Sequence, residues 1–155
     1  MMLANVFLLL TRSLASAHRI AEILDENIVL TSPENGVKKV KDGSIDFENV
    51  SFKYREDARE YALENVNLHI QAGQTIGVIG TTGSAKTTLV QLIPRLYDAT
   101  TGVVRVGGVN VRDYDLSVLR DSVNITLQKN VLFSGTVREN LKWGNPFADD
   151  ETIWK

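Results

Sequence analysis

The fold is decided by one short stretch of sequence, Gly80-Thr81-Thr82-Gly83-Ser84-Ala85-Lys86-Thr87-Thr88. It follows an apolar run at 75–79 that lacks alternation, which predicts a strand covered on both faces. It precedes a segment at 86–97 that we predict to be a helix. A glycine-rich loop between a buried strand and a helix is the context that a phosphate-binding loop requires.

The residue types in this loop suit the phosphate tail of a nucleotide. Small residues let backbone N–H groups curl around phosphate oxygens, and the N-terminus of the following helix adds unpaired N–H groups and a positive dipole end. We expect Lys86 to bridge the β- and γ-phosphates and the hydroxyl of Thr87 to ligate Mg²⁺. The alternative is a glycine-rich turn that binds no ligand.

The loop departs from the pattern G-x-x-x-x-G-K-[ST] at Ala85, where the pattern has a glycine. Alanine adopts helical dihedral angles easily, so we expect the backbone path to survive. Its methyl group would point into the crowded space beside the β-phosphate. Loss of one charge-assisted hydrogen bond there would cost about 1.5–3 kcal/mol, which is about ten- to 150-fold in affinity.

Short strands are predicted on both sides of the loop. Residues 45–54 alternate apolar and polar side chains, as a half-buried strand does, and residues 62–70 repeat the pattern before a tight turn at 71–74. Beyond the loop we predict a hairpin with a Gly-Gly turn at 102–111, a short helix at 115–122, a strand at 123–127 and the start of a helix at 146–150.

The N-terminal segment is apolar at its start and amphipathic later, so we predict one helix over 3–25. About 20 apolar residues are needed to cross a bilayer, so this run cannot do so alone. We interpret it as the end of a membrane helix whose beginning is missing. One alternative is a signal peptide with a cleavage site at 15–17, although no basic residue precedes the apolar run. The other is an ordinary soluble helix.

A turn-rich segment with Lys38, Lys39 and Lys41 follows and reads as a linker. Its lysines form a solvated face or, alternatively, contact anionic lipid.

The composition is that of a soluble globular protein of one domain. The chain has 155 residues, of which 43% are hydrophobic and 23% charged, and its net charge is -2. No basic excess points to a nucleic-acid partner. The sequence contains no cysteine, which excludes disulfides and thiolate metal sites.

Three stretches of this sequence resemble the nucleotide-binding domain of ATP-binding cassette (ABC) transporters of the exporter type. They are FENVSFKY at 47–54, the loop at 80–88 with LVQLIPRLY at 89–97, and LQKNVLFSGTVRENL at 127–141. The resemblance implies an α/β fold, with part of a phosphate-loop NTPase core and an antiparallel β layer after an N-terminal helix. It implies the end of the last transmembrane helix and its cytoplasmic extension at 1–26, a linker at 27–43, and the N-terminal part of the nucleotide-binding domain at 44–155.

The resemblance also implies roles for single residues. Tyr54 would stack on adenine, and Gln128 would reach the Mg²⁺ ion and the attacking water. Lys86 and Gln128 are then the catalytic candidates, and Thr87 and Gln128 the metal ligands. The residues that would hold ATP and Mg²⁺ are Tyr54, Gly80, Thr81, Thr82, Gly83, Ser84, Ala85, Lys86, Thr87 and Thr88. An ordinary strand-end aromatic and an unliganded polar residue are the alternatives for Tyr54 and Gln128.

The function implied is that of the ATP-binding part of an exporter, which couples Mg-ATP binding and hydrolysis to transport of a solute. Its location would be the cytoplasmic face of the cell membrane, and its partners a transmembrane domain and an identical or different second nucleotide-binding domain. The family hydrolyses ATP with a strand ending in aspartate, an adjacent glutamate, a later histidine and a serine-glycine signature loop, and none of these follows the phosphate loop here. We therefore expect this chain alone to bind nucleotide weakly and to turn it over negligibly.

One other interpretation is open, and a third disagrees with the sequence. The chain would be a degenerate regulatory half-site of a heterodimeric transporter if Ala85 marks a site that has lost hydrolysis. Membership of another phosphate-loop family, such as the kinases or GTPases, disagrees with Tyr54 and with the segment around Gln128.

Overall fold

The computed structural model describes residues 2–26, 29–126, 128–129 and 131–154. The chain divides into two compact units, Met1–Val123 and Asn124–Lys155. The first contains α1 (Met2–Leu24), β1 (Ile45–Phe52), β2 (Leu63–Ile70), α2 (Lys86–Leu92), β3 (Thr101–Val106), β4 (Val109–Asn110), a 3₁₀ turn (Val111–Asp113) and α3 (Leu116–Ser122). The second contains α4 (Val137–Lys142) and α5 (Asp150–Ile153).

The four strands form one antiparallel sheet in the order β2-β1-β3-β4. Phe47 on β1 faces Leu68 on β2 and Val104 on β3. The predicted strands at 45–54 and 62–70 are therefore confirmed at slightly shorter lengths. The hairpin is confirmed as well, and its turn at Gly107 and Gly108 needs glycine because both have positive φ, 57° and 79°.

The core of the first unit is formed by side chains of β1, β3, α2, the 3₁₀ turn, α3 and the segment between the last two. Its buried apolar members are Phe47, Val50, Phe52, Leu92, Val104, Val106, Val111, Tyr114 and Leu119. Tyr114 donates its hydroxyl to the carbonyl of Val106 at 2.8 Å, which satisfies the one polar atom of a fully buried side chain. Leu92, at the end of α2, is fully buried, so this cluster holds the helix that follows the phosphate loop.

Helix α2 ends at Leu92, five residues before the predicted end at 97. Proline cannot donate a backbone N–H, so Pro94 interrupts the helical hydrogen bonds. Arg95 then has a positive φ of 53°, outside the right-handed helical region.

The predicted buried strand at 75–79 is wrong. No strand is assigned to these residues, all of them are exposed, and Ile79 exposes 98% of its surface. A strand in the middle of a sheet needs hydrogen-bonding neighbours on both edges. Among the described residues no strand pairs with 75–79, so the segment stays irregular despite its apolar composition.

The predicted strand at 123–127 is also wrong for its described residues. No strand is assigned to 123–126, and Leu127 lies outside the described residues. Helix α4 begins with a capping box between Thr136 and Glu139. That pair is readable in the sequence, although none of our predictions places a helix there. Helix α5 starts at Asp150, with Asp149 as its N-cap. We predicted a helix that starts within 146–150, and the observed start is the last residue of that range.

The long N-terminal helix is confirmed as α1, Met2–Leu24. None of the described helices, α1 included, combines the length and the apolar content of a membrane span. The connector, which we define as residues 29–43, is hydrogen-bonded to other segments of the first unit. The Val37 N–H donates to the Asp113 carbonyl at 2.8 Å, and the Asp115 N–H donates to the Val37 carbonyl at 3.1 Å. The predicted linker thus has fixed contacts at 37, while Lys38, Lys39 and Lys41 are exposed.

Candidate functional site

The phosphate loop is curled around the side chain of Lys86. A turn closes where the Ser84 N–H donates to the Thr81 carbonyl at 3.2 Å. The Lys86 ammonium donates to the carbonyls of Gly80 and Thr81, both at 2.8 Å, and to the Ser84 hydroxyl at 3.1 Å. The turn and these three bonds therefore hold the ammonium, the one cation that the loop offers to a phosphate group, against the loop backbone.

Ala85 lies in the left-handed region of backbone space, with φ 56° and ψ 22°. We expected the backbone path to survive because alanine adopts helical angles easily, and that reason is wrong, since Ala85 has left-handed angles. A left-handed conformation brings the Cβ atom close to the following carbonyl oxygen and costs about 1–2 kcal/mol for a residue other than glycine. This backbone geometry is the physical reason why the motif has glycine immediately before the lysine.

Helix α2 starts directly after Ala85 and directs its first N–H groups toward the loop. Its first internal hydrogen bond runs from the Leu89 N–H to the Ala85 carbonyl at 3.0 Å. The N–H groups of Lys86, Thr87 and Thr88 precede that bond and have no acceptor within the helix. Thr87 is exposed, whereas Thr88 is buried. The exposed hydroxyl of Thr87 is thus the accessible one for a ligand.

Tyr54 lies two residues after β1 and is bonded to α2, the helix that follows the phosphate loop. Its hydroxyl is hydrogen-bonded to the Thr88 hydroxyl at 2.7 Å. Its ring makes edge-on contacts with Phe52, at 4.9 Å between centroids, and with Tyr97, at 5.3 Å. The residue still exposes 55% of its surface. Its ring is therefore both fixed in orientation and accessible.

One cavity joins these elements. It has a volume of about 380 Å³ and is lined by Tyr54, Tyr61, Ala62 and residues 83–88. Small-molecule sites range from about 300 to 1,000 Å³, so the space suits a compact ligand. The structure thus brings the predicted aromatic residue together with the second half of the predicted loop.

Tyr61 and Ala62 line this cavity although no sequence pattern singled them out. They lie just before β2, which pairs with β1 and so brings them beside Tyr54. The Lys53 ammonium lies 4.5 Å from the centre of the Tyr61 ring. Only the pairing of the two strands reveals this proximity, because the polar segment 55–60 separates them in sequence.

The other predicted residues lie outside the cavity lining. Gly80 and Thr81 contribute their carbonyls to Lys86, and Thr82 is exposed in the turn. Gln128 is exposed in the second unit, and its predicted role stays a prediction.

The chemistry of the donors fits a magnesium ion only together with a nucleotide. Among the described residues no group of three histidine, cysteine, aspartate or glutamate side chains could hold a metal ion. Mg²⁺ prefers oxygen ligands in an octahedron and is commonly held by one or two protein groups plus substrate phosphates. The Thr87 hydroxyl can be one such group, and the phosphates would supply the rest.

The comparisons with known proteins all find ABC transporters. The family model described as ABC transporter matches residues 63–155, more than half of the chain. YknV of Bacillus subtilis (strain 168), an uncharacterized ABC transporter ATP-binding protein, is 40% identical over 154 residues, which is 99% of this chain and 25% of that protein. YgaD of the same organism, named as a multidrug export ATP-binding/permease protein, is 42% identical over 152 residues, or 97% of this chain and 26% of that protein.

A solved structure shows the same fold. A bacterial Atm1-family ABC exporter with ATP bound superposes with a TM-score of 0.78 at 26% identity, over 91% of this chain and 24% of that chain. The predicted fold class, with part of a phosphate-loop core and an antiparallel β layer, is confirmed by this likeness. The chain spans about a quarter of the length of the relatives that it matches.

Proposed function

This chain belongs to the ABC transporter family, and on that premise we propose that it is the ATP-binding part of an exporter that couples Mg-ATP binding and hydrolysis to transport of a solute. A transmembrane domain and a second nucleotide-binding domain are the proposed partners, and the cytoplasmic face of the cell membrane is the proposed location. Support comes from YgaD, which is named as a protein that combines ATP binding with a permease for multidrug export.

The observation that carries the proposal is the cavity in which Tyr54 and residues 83–88 meet. The adenine ring would stack on Tyr54, whose orientation is set by its hydrogen bond to Thr88. The phosphates would accept hydrogen bonds from the N–H groups at the start of α2. Lys86 would exchange the carbonyls of Gly80 and Thr81 for phosphate oxygens, which trades two neutral acceptors for charged ones.

Magnesium would be held by the Thr87 hydroxyl together with the phosphates. Gln128 keeps the metal-ligand role that the family resemblance predicts for it. The ion would neutralise charge on the β- and γ-phosphates when bound. None of the described residues that line the cavity has a carboxylate that could accept a proton from an attacking water. We therefore expect this chain by itself to bind ATP weakly and to hydrolyse it negligibly.

Calorimetric titration of the 155-residue chain with Mg-ATP tests the proposal. Binding should be lost in Lys86→Ala and kept in Lys39→Ala, which removes an exposed lysine of the connector. Tyr54→Ala should weaken ATP binding but leave the affinity for inorganic tripolyphosphate unchanged, since that ligand has no base. Absence of binding to the unmodified chain, or equal binding to Lys86→Ala, contradicts the proposal.

A second candidate function is a regulatory half-site that binds nucleotide without hydrolysing it. The left-handed angles of Ala85 favour it, because they suit glycine, and the methyl group that Ala85 carries instead is expected to weaken binding of the β-phosphate. Ala85→Gly discriminates between the two: a half-site gains affinity for ATP but no hydrolysis when placed in a complete transporter. A gain in phosphate release in that setting identifies a catalytic site instead.

A further inference from the structure

Arg95 is a buried arginine to which none of our sequence predictions gives a role. It exposes 7% of its surface and lies three residues after the end of α2. A charged side chain removed from water must be paired and hydrogen-bonded. The partners of Arg95 therefore show which parts of the chain it holds together.

The guanidinium of Arg95 forms a two-point pair with the carboxylate of Asp98, at 2.8 and 3.1 Å. The remaining nitrogen donates to the carbonyl of Thr31 in the connector at 3.2 Å. The same nitrogen also approaches the Arg112 carbonyl at 3.5 Å. One rigid, planar group thus links the residues just after α2 to the connector.

Two further contacts restrain this arrangement. Arg120 donates to the carbonyl of Arg95 at 3.0 Å, which holds its backbone in place. Arg112 lies 3.4 Å from the Asp98 carboxylate and adds a second positive charge beside it. Burial alone would raise the pKa of Asp98, but the hydrogen bonds and charges of Arg95 and Arg112 keep it below the usual value. The carboxylate is therefore ionised and available to Arg95 at neutral pH.

The two ends of α2 thus have different partners. Its first residue, Lys86, contacts the loop carbonyls, and Arg95 beyond its last turn contacts the connector. A helix of seven residues is a rod about 10 Å long. The Arg95 N–H donates to the Leu92 carbonyl at 3.3 Å, so a reorientation of α2 when Lys86 moves to a phosphate would be passed to the Arg95 contact with Thr31.

We propose that Arg95 is a positioning residue that couples nucleotide at the phosphate loop to the connector. This inference rests on the proposed ATP-binding function. Bound nucleotide would restrict the motion of the loop and of α2. Less conformational entropy is then lost when Arg95 forms its hydrogen bond to the Thr31 carbonyl. The connector then becomes more firmly attached when ATP is bound, and by reciprocity a firmly attached connector favours ATP.

Amide hydrogen exchange at Val37 measures this coupling, because its N–H donates to the Asp113 carbonyl only while the connector is attached. Saturating Mg-ATP should slow exchange at Val37 at least about fivefold, the lower end of usual coupling strengths. Arg95→Lys keeps the charge but loses the two-point geometry, and should abolish the ATP effect. Asp98→Asn should do the same by removing the carboxylate.

Arg105→Lys is the matched control. Arg105 pairs with Glu48 at 3.0 Å on the sheet, and neither residue belongs to α2 or to the connector. This variant should keep the full ATP effect at Val37. If ATP binds the unmodified chain without slowing exchange at Val37, or if Arg95→Lys keeps the effect, the coupling is refuted while the proposed function stands. If ATP does not bind, both fail. If neither the Arg95→Lys chain nor the Asp98→Asn chain folds, the Arg95–Asp98 pair is required for folding, and the coupling is refuted as well.

Discussion

The hydroxyl of Tyr54 is hydrogen-bonded at 2.7 Å to the hydroxyl of Thr88, which joins the end of β1 to the first turn of α2. Thr88 is buried, so its hydroxyl depends on this partner. The bond fixes the orientation of the tyrosine ring relative to the helix that carries Lys86 and Thr87. The proposed base and phosphate sites are therefore parts of one hydrogen-bonded unit.

Tyr54→Phe should lower the free energy of unfolding by about 1–2 kcal/mol, because it leaves the buried Thr88 hydroxyl without its partner. Denaturant titration measures the change. Tyr61→Phe is the control, since the Tyr61 hydroxyl has no hydrogen bond among the described residues, and it should change stability by less than about 0.5 kcal/mol. Equal effects of the two substitutions would show that the Tyr54 bond contributes nothing.

Ala85→Gly should raise the affinity for Mg-ATP by about tenfold or more, since it removes the methyl group that we expect beside the β-phosphate. Stability should rise by about 0.5–1 kcal/mol, because relief of strain exceeds the greater entropy of glycine in the unfolded chain. Titration calorimetry and denaturant unfolding measure the two changes.

Ala17→Gly is the opposite case, because Ala17 lies within the right-handed α1. Glycine there should reduce helix content, measured by circular dichroism. If Ala85→Gly also proves destabilising, residue 85 is not left-handed in solution.

The Arg95–Asp98 pair should make stability depend on pH at the acid end. The pKa of Asp98 is lower in the folded than in the unfolded chain, so its contribution is complete above the unfolded pKa of about 3.9 and is lost as the pH falls through the folded value. The unmodified chain should be more stable than Asp98→Asn at pH 7, and the difference should shrink below about pH 4. Chemical unfolding at several pH values between 3 and 7 measures it, and a constant difference contradicts the pairing.

Thr136→Ala should weaken the start of α4 by about 0.5–2 kcal/mol, since Thr136 caps it and bonds to Glu139. The Thr136 backbone and side chain both lower the pKa of Glu139 through hydrogen bonds. Removal of the hydroxyl should move that pKa partly back toward its usual value, as followed by NMR titration. Ser134→Ala, a change of similar size outside the capping box, should leave the pKa of Glu139 unchanged.

The comparison of prediction with structure separates two kinds of feature. Strands β1 and β2, helix α2 and the Gly107-Gly108 hairpin follow from alternation, turn residues and motif order, which are local properties. The prediction of a strand at 75–79 is wrong because apolar composition favours burial but does not supply the partner strands that a sheet needs. Arg95 sits in a stretch that reads as helix, and nothing local indicates that it is buried.

By itself the sequence determined where the phosphate loop lies, which residue types it offers and which family it resembles, because these depend on the order of neighbouring residues. Only the tertiary structure decided the left-handed angles of Ala85, the bond between Tyr54 and Thr88, and the link from Arg95 to Thr31. Each of these depends on segments far apart in the chain, or on a backbone angle that alanine does not prefer. Such features are set by the packing of the whole unit rather than by any local pattern.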